Sequence, residues 1–250
     1  MIRRCTNIAK TVITFCLWTT LIPPFLIACT LLALLPARWR YDNRLYFFLT
    51  SSMSWLIIKS AFLRITIHGR KNLPTYPNTP AIVIMNHASA FDIPMIEVLV
   101  GSYPHVWISK SGYKNVPLVG FLLKRMHVMV DKTSTSSARR ALIGMHDLIK
   151  DQNRHALIFP EGTRHDDGQV HKFFSGFAVL AQKLQRPVIP IVATNMHLVF
   201  PKKSLIIDSS STHVTINIGK PIYCPADADL PEFVRSVEEH FKETLTTTGV

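Results

Sequence analysis

The chain has 250 residues, 48% of them hydrophobic, with a mean hydropathy of +0.20, a formal net charge of +12 and an isoelectric point near 9.8. That length holds one large domain, or one domain with an appendage. So basic a surface seeks phosphates, but zinc-finger spacing and interleaved basic and aromatic residues are missing, which argues against nucleic acid and for anionic lipid or a phosphorylated small molecule.

Residues 11–36, TVITFCLWTTLIPPFLIACTLLALLP, carry no charge. A stretch of this length can cross a hydrocarbon core of roughly 30 Å. Pro23 and Pro24 interrupt it, so it reads either as a kinked spanning helix or as a helix that dips in and returns at the prolines. Arg3, Arg4 and Lys10 precede it and Arg38, Arg40 and Arg44 follow it, so basic flanks assign no orientation. A cleaved signal peptide would have a shorter apolar run. The tetrad Leu26-Ile27-Ala28-Cys29 resembles a lipoprotein cleavage site, but the apolar run continues through it to Leu35. Leu45–Leu49 and Trp55–Ile58 form a second oily stretch that reads as an interfacial partner. The four cysteines, Cys5, Cys16, Cys29 and Cys224, contain no C-x-x-C and read as reduced thiols on the cytoplasmic side.

Beyond residue 60 the texture changes to short apolar runs with β-branched residues: Ile65–His68, Ala81–Met85, Val106–Ile108, His127–Val130, Ala156–Phe159, Val188–Ala193, Leu205–Ile207 and Val214–Ile218. These read as strands. Helical patterns lie between or after them at Ile93–Leu99, Ser136–Lys150, Gly176–Leu184 and Pro231–Leu245. The alternation predicts an α/β fold: a single domain over 61–250 with a central mixed sheet flanked by helices. A membrane-associated helical segment over 1–60 precedes it.

Ligands of such sheets bind beyond the carboxyl ends of strands. After AIVIM come Asn86-His87-Ala88-Ser89-Ala90-Phe91-Asp92. Five positions on one regular helix would set His87 and Asp92 about 140° apart, so His87 is expected on the loop and Asp92 at the next helix start, with Pro94 in its first turn. The carboxylate then orients the imidazole, as in a catalytic triad that lacks its serine. Asp92 also reads as a plain helix N-cap, and His87 as a loop residue satisfied by backbone. After ALIFP come Glu161, Gly162, Thr163 and Arg164. This cluster reads as a phosphate grip with Arg164 bidentate, or as a Glu–Arg pair in a turn. Lys110, after VWIS, reads as a second phosphate ligand or as a solvated lysine. Asp131-Lys132 reads as a surface pair. The chain shows no G-x-S-x-G, H-E-x-x-H, P-loop or clustered metal ligands.

The order of these clusters resembles the glycerolipid acyltransferase family, which includes the lysophosphatidate acyltransferases. The blocks stand here as NHASAFD (86–92), SKSGYKNVPLVG (109–120), FPEGTR (159–164) and RPVIPIVA (186–193), within a match over roughly 64–223. The resemblance implies transfer of an acyl group from acyl-CoA or acyl-carrier-protein to the free hydroxyl of 1-acyl-glycerol-3-phosphate, giving phosphatidate. It makes His87 the general base and Asp92 its orienter. Glu161, Gly162, Thr163, Arg164 and Lys110 become acceptor ligands, with Asn86 and Pro190 in support, Pro190 near the acyl site. It implies no cofactor and no metal, and a partner in the bilayer, with the active site on the cytoplasmic face of a membrane. Members often continue with F-K-x-G, where this chain has Phe173-Phe174-Ser175-Gly176 and Lys172 displaced by two. Acceptor identity therefore stays open to another lyso-lipid or glycerol-3-phosphate, and a CoA-independent transacylase or a non-catalytic lipid-binding protein of the same fold stands as the alternative.

Overall fold

A computed structural model describes residues 2–73, 79–131, 134–201, 204–209 and 212–248; Lys132 lies outside them. The chain runs α1 (Ile2–Ala33), α2 (Ala37–Arg40), α3 (Arg44–Ser60), β1 (Arg64–His68), β2 (Ile82–Met85), α4 (Asp92–Val100), β3 (His105–Lys110) and α5 (Val119–Met126). It continues with β4 (Val128–Val130), α6 (Thr135–Ile149), β5 (His155–Ile158), α7 (Gly176–Leu184), β6 (Val188–Thr194), α8 (Met196–Val199), β7 (His213–Ile218) and α9 (Leu230–Thr248).

The strands form one seven-stranded sheet in the order β1-β7-β6-β2-β5-β3-β4. Every pairing is parallel except β6 with β7, so the sheet is mixed. Its centre reads as unbroken apolar runs because both faces are covered: all residues of β2, β5 and β6 are buried. Alternation sends Ile82, Ile84, Val188 and Val192 to the face packed by α6, α7 and α9. Val83, Met85, Ile189, Ile191 and Ala193 point to the other face, under α4 and the end of α3.

The run Leu205–Ile207 is not a strand. The Ile207 amide donates to Thr11 Oγ1 of α1, and Ser204 Oγ takes the Ile206 amide, so side chains hold this backbone in place of a sheet neighbour. α5, a short helix behind Pro117, was not among the expected helices.

The prolines do not turn the N-terminal segment back. α1 continues through Pro23 and Pro24, and the chain reverses only after Ala33. α3 then returns antiparallel to α1: Thr14 Oγ1 donates to Ser60 O and Trp18 Nε1 to Ser60 Oγ, while Cys29 and Ala33 pack on Tyr46 and Phe47. α1 is long and apolar enough to cross a membrane, and only 11% of its most apolar window is buried. It also touches the α/β domain near both ends. Asn7 Nδ2 donates to Asp208, and the Arg125 guanidinium donates to the carbonyls of Ala33, Leu34 and Leu35. Val12, Leu21, Leu31, Phe48 and Trp55 remain exposed on the helical pair.

Candidate active site

β2 and β5 are adjacent and parallel, so the segments that follow them leave the sheet at the same edge. The His165 amide donates to His87 O at 2.9 Å and ties the two loops together. On the other side, Asn86 continues the ladder beyond β2 with its side chain. Its Nδ2 donates to Ala193 O at 3.0 Å and its Oδ1 accepts from Ala193 N at 2.8 Å. A side chain thus does what the next backbone pair would, and the main chain is free to turn.

Asp92 opens α4 but does not cap it. Its Oδ2 accepts from the amides of Ala88 and Ser89 at 2.6 and 2.7 Å, and lies 2.8 Å from His87 Nδ1. The carboxylate therefore folds back onto the loop before the helix and is itself fully buried. Two amides aimed at Oδ2 fix it as an acceptor, which puts the shared proton on Nδ1, so that the neutral tautomer of the ring has its lone pair on Nε2. Burial pushes the Asp92 carboxyl up, and its bond to His87 and the two amides oppose that rise. Nε2 has no hydrogen-bond partner among the described residues, and the His87 side chain is 16% exposed.

A contact that the motif reading did not anticipate fixes the ring's plane. Phe159, the first residue of FPEGTR, stacks on His87 with centroids 4.0 Å apart and planes 12° apart. Such a stack contributes about 0.5–1.5 kcal/mol beyond its buried area. The signal was available as an aromatic at the end of a strand next to β2, but its partner depends on strand order.

The Glu161–Arg164 turn pair does not form. Glu161 is buried, and neither carboxylate oxygen makes a hydrogen bond of normal geometry. Burial pushes its carboxyl up to about 8, although the backbone amides of His87 and His171 favour the charged form. Gly162 sits at φ +68°, in the left-handed region, and the Phe174 ring lies where a Cβ would stand. Phe174 is 69% exposed. Thr163 is exposed and Arg164 half-buried on the same loop. Lys110 is exposed at the end of β3, two strands from β2. Pro190 is buried inside β6, and its ring meets Gly219 on the sheet face opposite to the one carrying Met85.

An apolar cavity of about 280 Å³ lies between this loop and the helical pair, lined by Trp18, Ile22, Ile57, Phe91 and Phe200 among others. Trp18 of α1 packs on Phe91 with centroids 5.9 Å apart. Among the described residues no group of three or more His, Cys, Asp or Glu side chains is arranged to hold a metal ion.

A family model described as Acyltransferase matches residues 64–194. The chain is 34% identical over 196 residues to a 1-acyl-sn-glycerol-3-phosphate acyltransferase of Cocos nucifera, covering 77% of this chain and 60% of that one. It is 31% identical over 187 residues to a chloroplastic 1-acyl-sn-glycerol-3-phosphate acyltransferase of Brassica napus, covering 74% of this chain and 52% of that one. The chain thus spans about half to three-fifths of the length of these relatives. Its fold is similar to the crystal structure of the 1-acyl-sn-glycerophosphate (LPA) acyltransferase of Thermotoga maritima. The TM-score is 0.77 at 22% identity, covering 98% of this chain and 97% of that one.

Proposed function

The chain belongs to the acyltransferase family, and we propose that it transfers a fatty acyl group from an acyl thioester to the free hydroxyl of 1-acyl-glycerol-3-phosphate. The donor is an acyl-CoA or an acyl-carrier-protein. The observation that carries this reading is the His87–Asp92 pair, in which Nδ1 is held and Nε2 is left without a partner.

In this mechanism Nε2 takes the proton of the acceptor hydroxyl as its oxygen attacks the thioester carbonyl. Asp92 keeps the imidazole in the correct tautomer and stabilises the imidazolium that forms. Collapse of the tetrahedral intermediate expels the thiolate, and the imidazolium returns the proton to sulfur. No enzyme nucleophile is required. Cys224 is buried in the cluster on the opposite sheet face, away from His87. Placing hydroxyl, thioester and base together contributes up to about 7–11 kcal/mol.

Arg164 and Lys110 are the cations proposed for the acceptor phosphate, with Gly162 and Thr163 on the same loop. The oxygens of Glu161 are sealed from solvent, so its part is to shape the loop around Arg164. The largely apolar lining of the cavity beside Phe91 suits an acyl chain. The exposed apolar side of α1 and α3, with Lys10, Arg38 and Lys59 over aromatic rings, suits attachment to the cytoplasmic surface of a membrane. A helix tied to the domain near both ends lies along that surface. A second reading, in which the acceptor is a different lyso-lipid or glycerol-3-phosphate, draws on Phe174, an exposed ring covering Gly162.

The test is an acceptor panel. Purified protein in detergent receives radiolabelled oleoyl-CoA with lysophosphatidate, glycerol-3-phosphate, lysophosphatidylcholine or lysophosphatidylglycerol, beside a His87→Ala variant. Phosphatidate from wild type alone is expected. Product from another acceptor alone favours the second reading, and product from neither that donor nor a carrier-protein donor overturns the proposal.

A further inference from the structure

α4 carries a second buried carboxylate, Glu97, five residues after Asp92. Glu97 Oε1 accepts from Trp107 Nε1 at 2.8 Å and lies 3.0 Å from His105 Nε2. The other His105 nitrogen, Nδ1, lies 2.8 Å from Tyr103 O. A carboxylate and a carbonyl are both acceptors, so His105 donates from both nitrogens and is an imidazolium. The pair is sealed from water: His105 is 1% exposed and Glu97 7%.

Trp107, fixed by Glu97, does not end in inert core. Its ring faces Phe159 with centroids 5.4 Å apart and planes tilted by 30°, and the Phe159 ring stacks on His87. His87 is thus held at its edge by Asp92 and on its face by Phe159, and both holds trace back to one helix. A tight apolar core needs no buried charge pair here. Replacing such pairs by apolar residues is often neutral or stabilising, so stability alone does not explain this one. A pair that aims an indole N–H gives a defined geometry instead.

We propose that Glu97, paired with His105, is a positioning residue for His87 that acts through Trp107 and Phe159. This deepens the acyl-transfer reading and rests on it. The chemistry needs Nε2 aimed at the acceptor hydroxyl. A ring that rocks about its Asp92 bond loses that aim without losing substrate.

The experiment measures kcat and both KM values for Trp107→Phe, Glu97→Leu, Glu97→Gln and the Trp107→Phe/Glu97→Leu double variant of the full chain, beside wild type and His87→Ala. Misplacement by about 1 Å can cost a hundred-fold in rate; partial loosening is expected to lower kcat about ten-fold in Trp107→Phe and Glu97→Leu, with both KM values unchanged. Glu97→Gln keeps an acceptor for the indole and is expected to retain kcat within about three-fold. The double variant is expected to fall no lower than the worse single one, because both cut the same line. Trp107→Phe and Glu97→Gln keep the test sound should Glu97→Leu fail to fold. Wild-type kcat in Trp107→Phe, with His87→Ala inactive, overturns the positioning role and leaves the acyl-transfer reading standing. So does a loss confined to melting temperature. Wild type inactive with every donor and acceptor overturns the reading itself.

Discussion

Two histidine–carboxylate pairs hang from one helix, and they have different fates. Asp92–His87 and Glu97–His105 have similar bond lengths, 2.8 and 3.0 Å, and both carboxylates are buried. The difference lies in the far side of each ring. His105 Nδ1 is spent on Tyr103 O, so both nitrogens are committed and no proton is left to exchange. His87 spends one nitrogen on Asp92, and the other has no hydrogen-bond partner among the described residues. Burial acts on the two pairs unequally. It pushes the Asp92 carboxyl up. Burial also opposes charge on Glu97, but the His105 imidazolium and the Trp107 N–H win and hold its carboxyl below the usual range. A histidine–carboxylate pair is thus open to act as a base, as proposed for His87, or closed as a brace, according to whether the second ring nitrogen is left open.

The largest expected effect breaks the open pair. His87→Ala removes the proposed general base and should lower kcat by roughly 10²–10⁴-fold, while its stability falls by no more than about 0.5–1.5 kcal/mol, the contribution of the lost Phe159 stack. Asp92→Asn keeps the shape but offers an amide where the loop's N–H groups need an acceptor. It should cost about 10²-fold or more in kcat, read from the same initial rates. The closed pair should answer in the other currency. His105→Ala leaves Glu97 charged and unpaired in the core, and should cost about 3–5 kcal/mol of stability by chemical denaturation. Equal stability loss in His87→Ala and His105→Ala would erase the distinction.

Sequence carried the first pair further than the second. A buried apolar run ending in a polar cluster marks a site wherever strands are parallel, so Asn86, His87, Asp92 and the Glu161–Arg164 loop stood out at once. The loop placement of His87 and the helix start at Asp92 match the structure. The return of Asp92 to the amides of Ala88 and Ser89 had no local signal, because an Asp before Ile-Pro reads equally well as a cap. Phe159 on His87, and Glu97 under Trp107, depend on the order β2-β5-β3, which spacing does not encode. Glu97 drew no reading from the sequence, and it lies buried. Most strands fell near their apolar runs; Leu205–Ile207 failed because α1, 196 positions away, supplies the hydrogen-bond partner of Ile207.

The Glu161–Arg164 loop extends the comparison to a weaker effect. Arg164→Ala should raise the acceptor KM by about ten- to a hundred-fold, the value of one charge-assisted contact of roughly 1.5–3 kcal/mol, and leave kcat nearly unchanged. An unchanged acceptor KM would take Arg164 out of phosphate binding and leave Lys110 as the cation to test.

The smallest effect concerns Glu161, a third buried carboxyl, whose oxygens make no hydrogen bond of normal geometry among the described residues. Its carboxyl is pushed from an ordinary 4.5 up to about 8 by burial. It therefore holds its proton more tightly folded than unfolded. Below pH 4.5 both states are protonated and the group costs nothing; as pH rises towards 8 the unfolded chain ionises first, and the folded state loses stability throughout that window. Glu161→Gln removes the titration and keeps the shape. Its melting temperature should match wild type at about pH 4 and exceed it by a few degrees at about pH 9, by scanning calorimetry in detergent. The opposite sign, with wild type gaining on the variant as pH rises, would mean that Glu161 is ionised and paired with a cation, and that the Glu161–Arg164 loop is braced by charge after all.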